Sequence, residues 1–245
     1  MFDLGIATSV AKKQNYSWQK TTEIAKSLSL KAIQFYLPQN GKIPIVDVSS
    51  YFNNIYLHLP NTYHLQIKQN LLAAEEFYDI YSSKKIIVHQ NENLSNKENL
   101  ETISNFAQKG FKVGIENEAK TNLYSYIELI KYLYQNNMNI FSVIDFHRFY
   151  CNFHKQFNPE LIFDMILRLF DLCVVNKIDT VIHLIDSNSF SSERKYWTPI
   201  LNGILPYTEI FSYIIKSIIL EYETEELIGK SISNFKKSLL FFERN

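Results

Sequence analysis

The sequence predicts a (β/α)8 barrel, and three observations carry that expectation. Short β-branched runs recur eight times along the chain, stretches of helical period separate them, and 245 residues suit one such domain spanning 1–245. The first run is "DLGIATS" (3–9), and "SWQKTTEIAKSLSL" follows as a helix with Ser17 as its N-cap. "AIQFYLP" (32–38) is the second run. Only "VDVSSYFN", with room for barely two turns of helix, separates it from "NIYLHLP" (54–60).

"YHLQIKQNLLAAEEFYDIYS" then leads to "KIIVHQ" (85–90), and "NKENLETISNFAQKG" leads to "KVGIENE" (112–118), with Gly110 placed to stop the helix. "TNLYSYIELIKYLYQNN" precedes "FSVIDFH" (141–147). "NPELIFDMILRLFDLCVVN" precedes "TVIHLID" (180–186), and its Asn158-Pro159 pair is an N-cap followed by a first-turn proline. "SIILEYE" (217–223) and the amphipathic "TEELIGKSISNFKKSLLFF" complete the set. A doubly wound open sheet is the rival architecture. Eight regular units favour closure, and no Gly-rich phosphate loop follows the first strand.

Composition narrows the functional classes. Lys+Arg and Asp+Glu both total 25, so the balanced charge supplies no general attraction to nucleic acid or to an anionic membrane. The best membrane candidate, "IFSYIIKSIILEYE", is interrupted by Lys216 and two glutamates. Cys151 and Cys173 fall in different elements without CxxC spacing, which predicts reduced thiols. The first strand begins almost at the first residue, so a soluble, cytoplasmic protein is expected.

In such barrels the active site lies at the C-terminal ends of the strands. Six consecutive runs carry a metal-competent side chain there: His58, His89, Glu116, Asp145, His183 and Glu221, with Glu223 in reserve on the same face as Glu221. A lone histidine in an apolar strand is most often a structural imidazole, and a lone strand-end carboxylate is most often a helix cap. Six in succession are a different matter, because independent coincidences multiply. Imidazole nitrogen and carboxylate oxygen form the ligand set of Zn²⁺ or Mn²⁺, with Mg²⁺ or Co²⁺ as further candidates. Strand alternation puts His183 on the face of Val181, and Asp145 on the face of Val143 and Phe141, as barrel-interior residues should be.

"GIEN" around Glu116, "HLIDS" around His183 and "IILEYE" around Glu221, together with "LHLP" at His58 and "VHQ" at His89, resemble the xylose-isomerase-like TIM barrel superfamily. That superfamily holds sugar isomerases, epimerases and the endonuclease IV type of abasic-site nuclease. The resemblance covers nearly the whole chain. It implies one metal held by Glu116, Asp145, His183 and Glu221, and in the nuclease branch a second metal on His58 and His89 sharing Glu116. It also departs from that branch. His147 stands one residue too early for a third zinc, and "SERKYW" places Glu193 and Lys195 where an Asp-x-His pair would stand.

The favoured expectation is a metal-dependent isomerase or epimerase acting on a small sugar, sugar phosphate or related hydroxy-carbonyl compound. Glu116 and Glu221 would be its base and acid about a metal-stabilised enediolate, with His58, His89 and Arg194 available to substrate oxygens. An endonuclease IV-like phosphodiesterase and a non-catalytic metal- or ligand-binding barrel are the alternatives. Lys12, Lys13, Arg148, Lys155, Arg194 and Lys195 are the basic residues expected on the catalytic face. His64 is assigned to a helix start, His154 is left open, and Asp186 is read as a supporting loop residue.

Overall fold

The computed structural model describes residues 2–91, 93–118, 123–154, 157–206 and 215–242. Eight parallel strands close into a barrel: β1 (Asp3–Ala7), β2 (Ala32–Tyr36), β3 (Asn54–His58), β4 (Lys85–His89), β5 (Lys112–Glu116), β6 (Ile140–Asp145), β7 (Thr180–Leu184) and, last, β10 (Ser217–Leu220), which pairs back to β1. Between the last two lies an antiparallel pair, β8 (Asp186–Ser187) and β9 (Trp197–Thr198). Seven α-helices are present among the described residues: α1 (Trp18–Ser27), α2 (Ile67–Tyr81), α3 (Asn96–Ala107), α4 (Leu123–Gln135), α5 (Phe146–Phe153), α6 (Pro159–Val175) and α7 (Glu225–Phe242). No described helix is long and apolar enough to cross a membrane.

Strand alternation sorts the core into two layers. Ile182 and Leu184 of β7 face the large layer between barrel and helices, as do Ile218 and Leu220 of β10. Val181, Phe141, Val143, Ile87, Tyr56 and Ile219 fill the barrel interior. This period of two is what turns His183, two residues beyond Val181, toward the mouth.

The local signals explain most boundaries. Ser17 accepts the Lys20 amide at the start of α1, Ser95 and Glu98 form a capping box on α3, and Asn158 caps α6 with Pro159 in its first turn. Gly110, at φ 82°, ends the turn after α3. Trp18 stacks on Phe35 at 4.2 Å and donates its indole N–H to the Tyr36 carbonyl at 3.0 Å, fixing the end of β2.

The structure adds three features to the predicted pattern. The β2–β3 connection carries only a 3-10 turn, Ser49–Tyr51, and no α-helix. Buried Ile43, Val46, Val48 and Phe52 cover the wall instead, and the Val46 amide donates to the Tyr81 hydroxyl of α2 at 3.0 Å. Second, the strand expected to run to His147 stops at Asp145, whose carboxylate accepts the Arg148 amide at 2.9 Å and starts α5, so His147 is helical. Third, Asp186 opens the β8–β9 pair and accepts the backbone amides of Ser187 (2.7 Å) and Gly203 (2.8 Å).

A Cβ on Gly203 would lie 2.1 Å from Asp186 Oδ1 and 2.4 Å from the Ser187 carbonyl oxygen. Gly203→Ala is therefore expected to cost about 2 kcal/mol by overpacking. A thermal melt should then fall by roughly 4–8 °C, and an unchanged midpoint would show that the loop moves freely.

Candidate metal centre

The strand ends converge because the register is staggered. His89 pairs with Glu116 and Asp145 with His183, but His58 pairs with Ile87, Glu116 with Val143 and His183 with Ile219. At these last three seams the next mouth residue lies two positions further along its strand. The tilt of closed-barrel strands gathers these staggered positions around one axis.

Glu116 is the centre of the arrangement and is 0% exposed. His58 Nε2 lies 2.7 Å and His89 Nε2 3.8 Å from its Oε2, while His183 Nδ1 and Arg148 Nη1 lie 3.3 Å and 3.0 Å from its Oε1. Burial disfavours the charged carboxylate, but His183, His89 and Arg148 together hold its pKa well below the ordinary range. His183 Nδ1 is also 3.3 Å from Oε1 of Glu221, the first residue after β10.

Each histidine has its outer nitrogen committed. His58 Nδ1 donates to the Leu59 carbonyl at 2.8 Å, His89 Nδ1 lies 2.9 Å from the Glu118 carboxylate, and His183 Nε2 donates to Gln34 Oε1 at 2.7 Å. The Gln34 amide is oriented in turn by donating Nε2 to Glu221 Oε1 at 3.0 Å. Carbonyl and carboxylate oxygens only accept, so these contacts fix the tautomers. In the neutral rings the inner nitrogens then present lone pairs to carboxylate oxygens. Such an arrangement is satisfied by a cation between them, either a proton or a metal ion.

Two ligand groups meet the requirement among the described residues: His58–His89–Glu116, and Glu116–His183–Glu221, the ligand atoms of each lying within 4.8 Å of one another. Glu116 Oε1 and His183 Nδ1 are buried and make no aligned hydrogen bond. The residues therefore fit a divalent cation, with outer partners of the kind that orient metal-bound imidazoles.

Asp145 belongs to neither group. Its Oδ2 takes the Arg148 Nε at 2.9 Å and its Oδ1 caps α5, so the structure ties up a carboxylate that the sequence places among the ligands. Glu223 also stands apart, paired with Lys12 Nζ at 3.0 Å and Arg194 Nη2 at 2.7 Å. Lys195 pairs with Glu193 at 2.7 Å, and Lys155 lies outside the described residues. His147 lies 3.3 Å from the Cys151 sulfur, whose thiol burial pushes up to about 12. His154 hydrogen-bonds the carbonyl of Cys151 or Tyr150 on its own helix, and His64 lies in the 3-10 turn before α2. Both cysteines are free.

No family model and no curated protein matches the chain. Among solved structures it is similar to a xylose isomerase-like TIM barrel/4-hydroxyphenylpyruvate dioxygenase fusion protein, with 11% identity, a TM-score of 0.59 and coverage of 90% of this chain. The chain spans only 38% of that protein's length. It is also similar to a sugar phosphate isomerase/epimerase from Parabacteroides distasonis, with 13% identity, a TM-score of 0.56 and coverage of 95% of both chains. What the chain shares with them is the fold, a closed eight-stranded (β/α)8 barrel.

Two chambers open at the mouth of the barrel. The smaller, about 260 Å³, is lined by His58, His89, Glu116, Arg148, Glu221 and Tyr36. Arg148, Glu221 and Tyr36 also line the larger, about 740 Å³, whose far wall includes Phe190 and Trp197. Together they have the capacity of a small-molecule site.

The sequence reading missed Gln34, Tyr36 and Glu118. Gln34 sits on an inward position of an apolar strand, the same anomaly that singles out His183. Glu118 lies two residues beyond Glu116.

In the metal-free protein, burial opposes protonation of His183, but Glu221 and Glu116 outweigh it and raise its pKa to about 9. A metal ion must displace that proton. Apparent metal affinity is therefore expected to rise about tenfold per pH unit up to about 9 and then level off. The sign for stability is the opposite. The imidazolium stabilises the metal-free fold fully below the unfolded pKa near 6.5, and that stabilisation is lost as pH rises through about 9. Metal titrations at several pH values check the first effect, and a pH-independent affinity would contradict it.

Proposed function

We propose that the protein is a divalent-metal-dependent isomerase or epimerase acting on a small sugar, sugar phosphate or related hydroxy-carbonyl compound. The observation that carries this reading is Glu116, fully buried and faced by the inner nitrogens of three imidazoles whose outer nitrogens are already bonded. Glu116, His183 and Glu221 are the residues that would hold the ion. When bound, it would polarise the carbonyl and stabilise negative charge developing on substrate oxygen.

The two glutamates divide the remaining work. Glu116 is fully buried and touches only the smaller chamber, whereas Glu221 borders both. Gln34 and Tyr36 each donate to Glu221 Oε1 at 3.0 Å, and its Oε2 makes no hydrogen bond among the described residues. Glu221 is thus placed to take a proton from a substrate carbon and return it, while Glu116 anchors the cation. One accessible carboxylate suits return of the proton to the same face, which favours isomerisation over a two-base epimerisation. Arg148 and the His58 side of the small chamber bind substrate oxygens, and the larger chamber accepts the rest of the molecule.

The second reading is a two-metal phosphodiesterase, favoured by the sharing of Glu116 between two ligand groups. A DNA-binding version would need unpaired cations around the mouth. Lys12 and Arg194 are paired with Glu223, and Lys195 with Glu193.

The test is a panel of aldoses, ketoses and their phosphates incubated in D2O with the metal-loaded protein. Interconversion with solvent deuterium incorporated at the carbon next to the carbonyl supports the isomerase. Cleavage of an abasic-site duplex without any sugar turnover would transfer the site to the second reading.

A further inference from the structure

Glu223 stands at the wall of the larger chamber, just past the end of β10 at Leu220. β10 lies between β1 and β7 in the barrel, so the segments that follow those two strands flank it. Each sends one cation to Glu223. Lys12 Nζ, from the 3-10 segment after β1, lies 3.0 Å from both carboxylate oxygens. Arg194 Nη2, from the turn between β8 and β9, lies 2.7 Å from Oε1. Glu223 lines the chamber, whereas neither Lys12 nor Arg194 does.

The rest of the chamber offers an anion little. Asp145, Glu221 and Glu223 are its carboxylates, and Arg148 is its one permanent cation among the described residues. That guanidinium is already bonded to Asp145 at 2.9 Å and to Glu116 at 3.0 Å. The remaining wall includes the rings of Tyr16, Phe190 and Trp197 and the hydroxyls of Ser189 and Ser191.

We propose that Glu223 is a specificity residue that closes the larger chamber to phosphate, and that the substrate is an uncharged hydroxy-carbonyl compound instead of its phosphate ester. This rests on the isomerase reading above and deepens it by choosing between the substrate classes that reading contains.

A phosphate entering a protein gives up water and must regain charge-assisted hydrogen bonds, which Lys and Arg usually supply. Here the two cations nearest the chamber are turned onto Glu223. Phosphate must therefore displace that carboxylate or lie beside it, like charge against like. An uncharged polyhydroxyl body meets no such repulsion. Its hydroxyls exchange hydrogen bonds with serine, and its C–H faces pack on the aromatic rings. Glu223 also ties two segments of the mouth together. A tie alone predicts lost stability on replacement and no gain in phosphate affinity, so phosphate binding separates the two roles.

The experiment is a phosphorus NMR titration of inorganic phosphate with the metal-loaded wild type, Glu223→Gln and the triple variant E223Q/K12M/R194M, at fixed ionic strength. Glu223→Gln is expected to bind phosphate at least about tenfold more tightly than the wild type, because two cations gain an open partner. The triple variant should return to the wild-type affinity; phosphate held on the metal is common to all three proteins and cancels. Equal affinity in wild type and Glu223→Gln, or a gain that persists in the triple variant, overturns the inference. For any sugar that the wild type converts, kcat/KM should exceed that of its phosphate ester by at least about tenfold. The reverse order overturns the inference and leaves the isomerase reading standing. Absence of turnover with every sugar sinks the isomerase reading and the substrate half of this inference, and the titration still decides the role of Glu223.

Discussion

Glu116→Gln is expected to cost the protein its metal ion and its turnover together. The substitution keeps the shape of the side chain, so packing around the fully buried position is preserved. What changes is the charge that orders three imidazoles and the Arg148 guanidinium. With a neutral amide there, His183 Nδ1 loses one of its two carboxylate partners, and His58 Nε2 loses the anion 2.7 Å away. Loss of an outer partner alone costs roughly 10–100-fold in metal affinity, so removing a shared ligand should exceed about 100-fold. Turnover should fall about 10³-fold or more. Metal titration and kcat measured on the same preparations check both, and retention of a tightly bound ion would show that Glu116 is not a ligand.

Glu221→Gln is expected to separate the two functions. Turnover should fall about 10²–10⁴-fold, the usual loss when a proton-transferring group is removed. Metal affinity should weaken less than in Glu116→Gln, because Glu116 and His183 remain. The amide oxygen can still accept from Gln34 and Tyr36, which donate to this side chain at 3.0 Å, so the second β-strand stays in place. If kcat is unchanged, the proton is carried by another group. Glu223, paired with Lys12 and Arg194 at the rim, is then the next carboxylate to replace.

The barrel was legible because its strands obey a period of two and its helices carry their own caps. The same period that turns Val181 and Ile219 inward turns His183 toward the mouth, so a strand-by-strand reading reaches most of the residues gathered at the candidate centre. It does not foresee two physical demands meeting on one residue. Asp145 is inward by alternation, but in "DFHR" it is also an N-cap with an arginine three residues on, and the structure satisfies those local partners. A search for metal-competent side chains also passes over Gln34, which ligates nothing yet fixes the His183 tautomer at 2.7 Å. Glu118 orients His89 at 2.9 Å from just beyond β5, where strand alternation no longer dictates direction. Arg148 reads from sequence as one loop cation among six, and only the folded chain brings it against both Asp145 and Glu116.

The central claim is that Glu116, His183 and Glu221 hold a divalent ion. Anomalous diffraction from crystals of the zinc- or manganese-loaded protein tests it most directly. The account predicts one strong peak within bonding distance of Glu116, His183 and Glu221, with Asp145 still paired to Arg148. A single peak on His58 and His89 alone, or no peak at the barrel mouth, would contradict it.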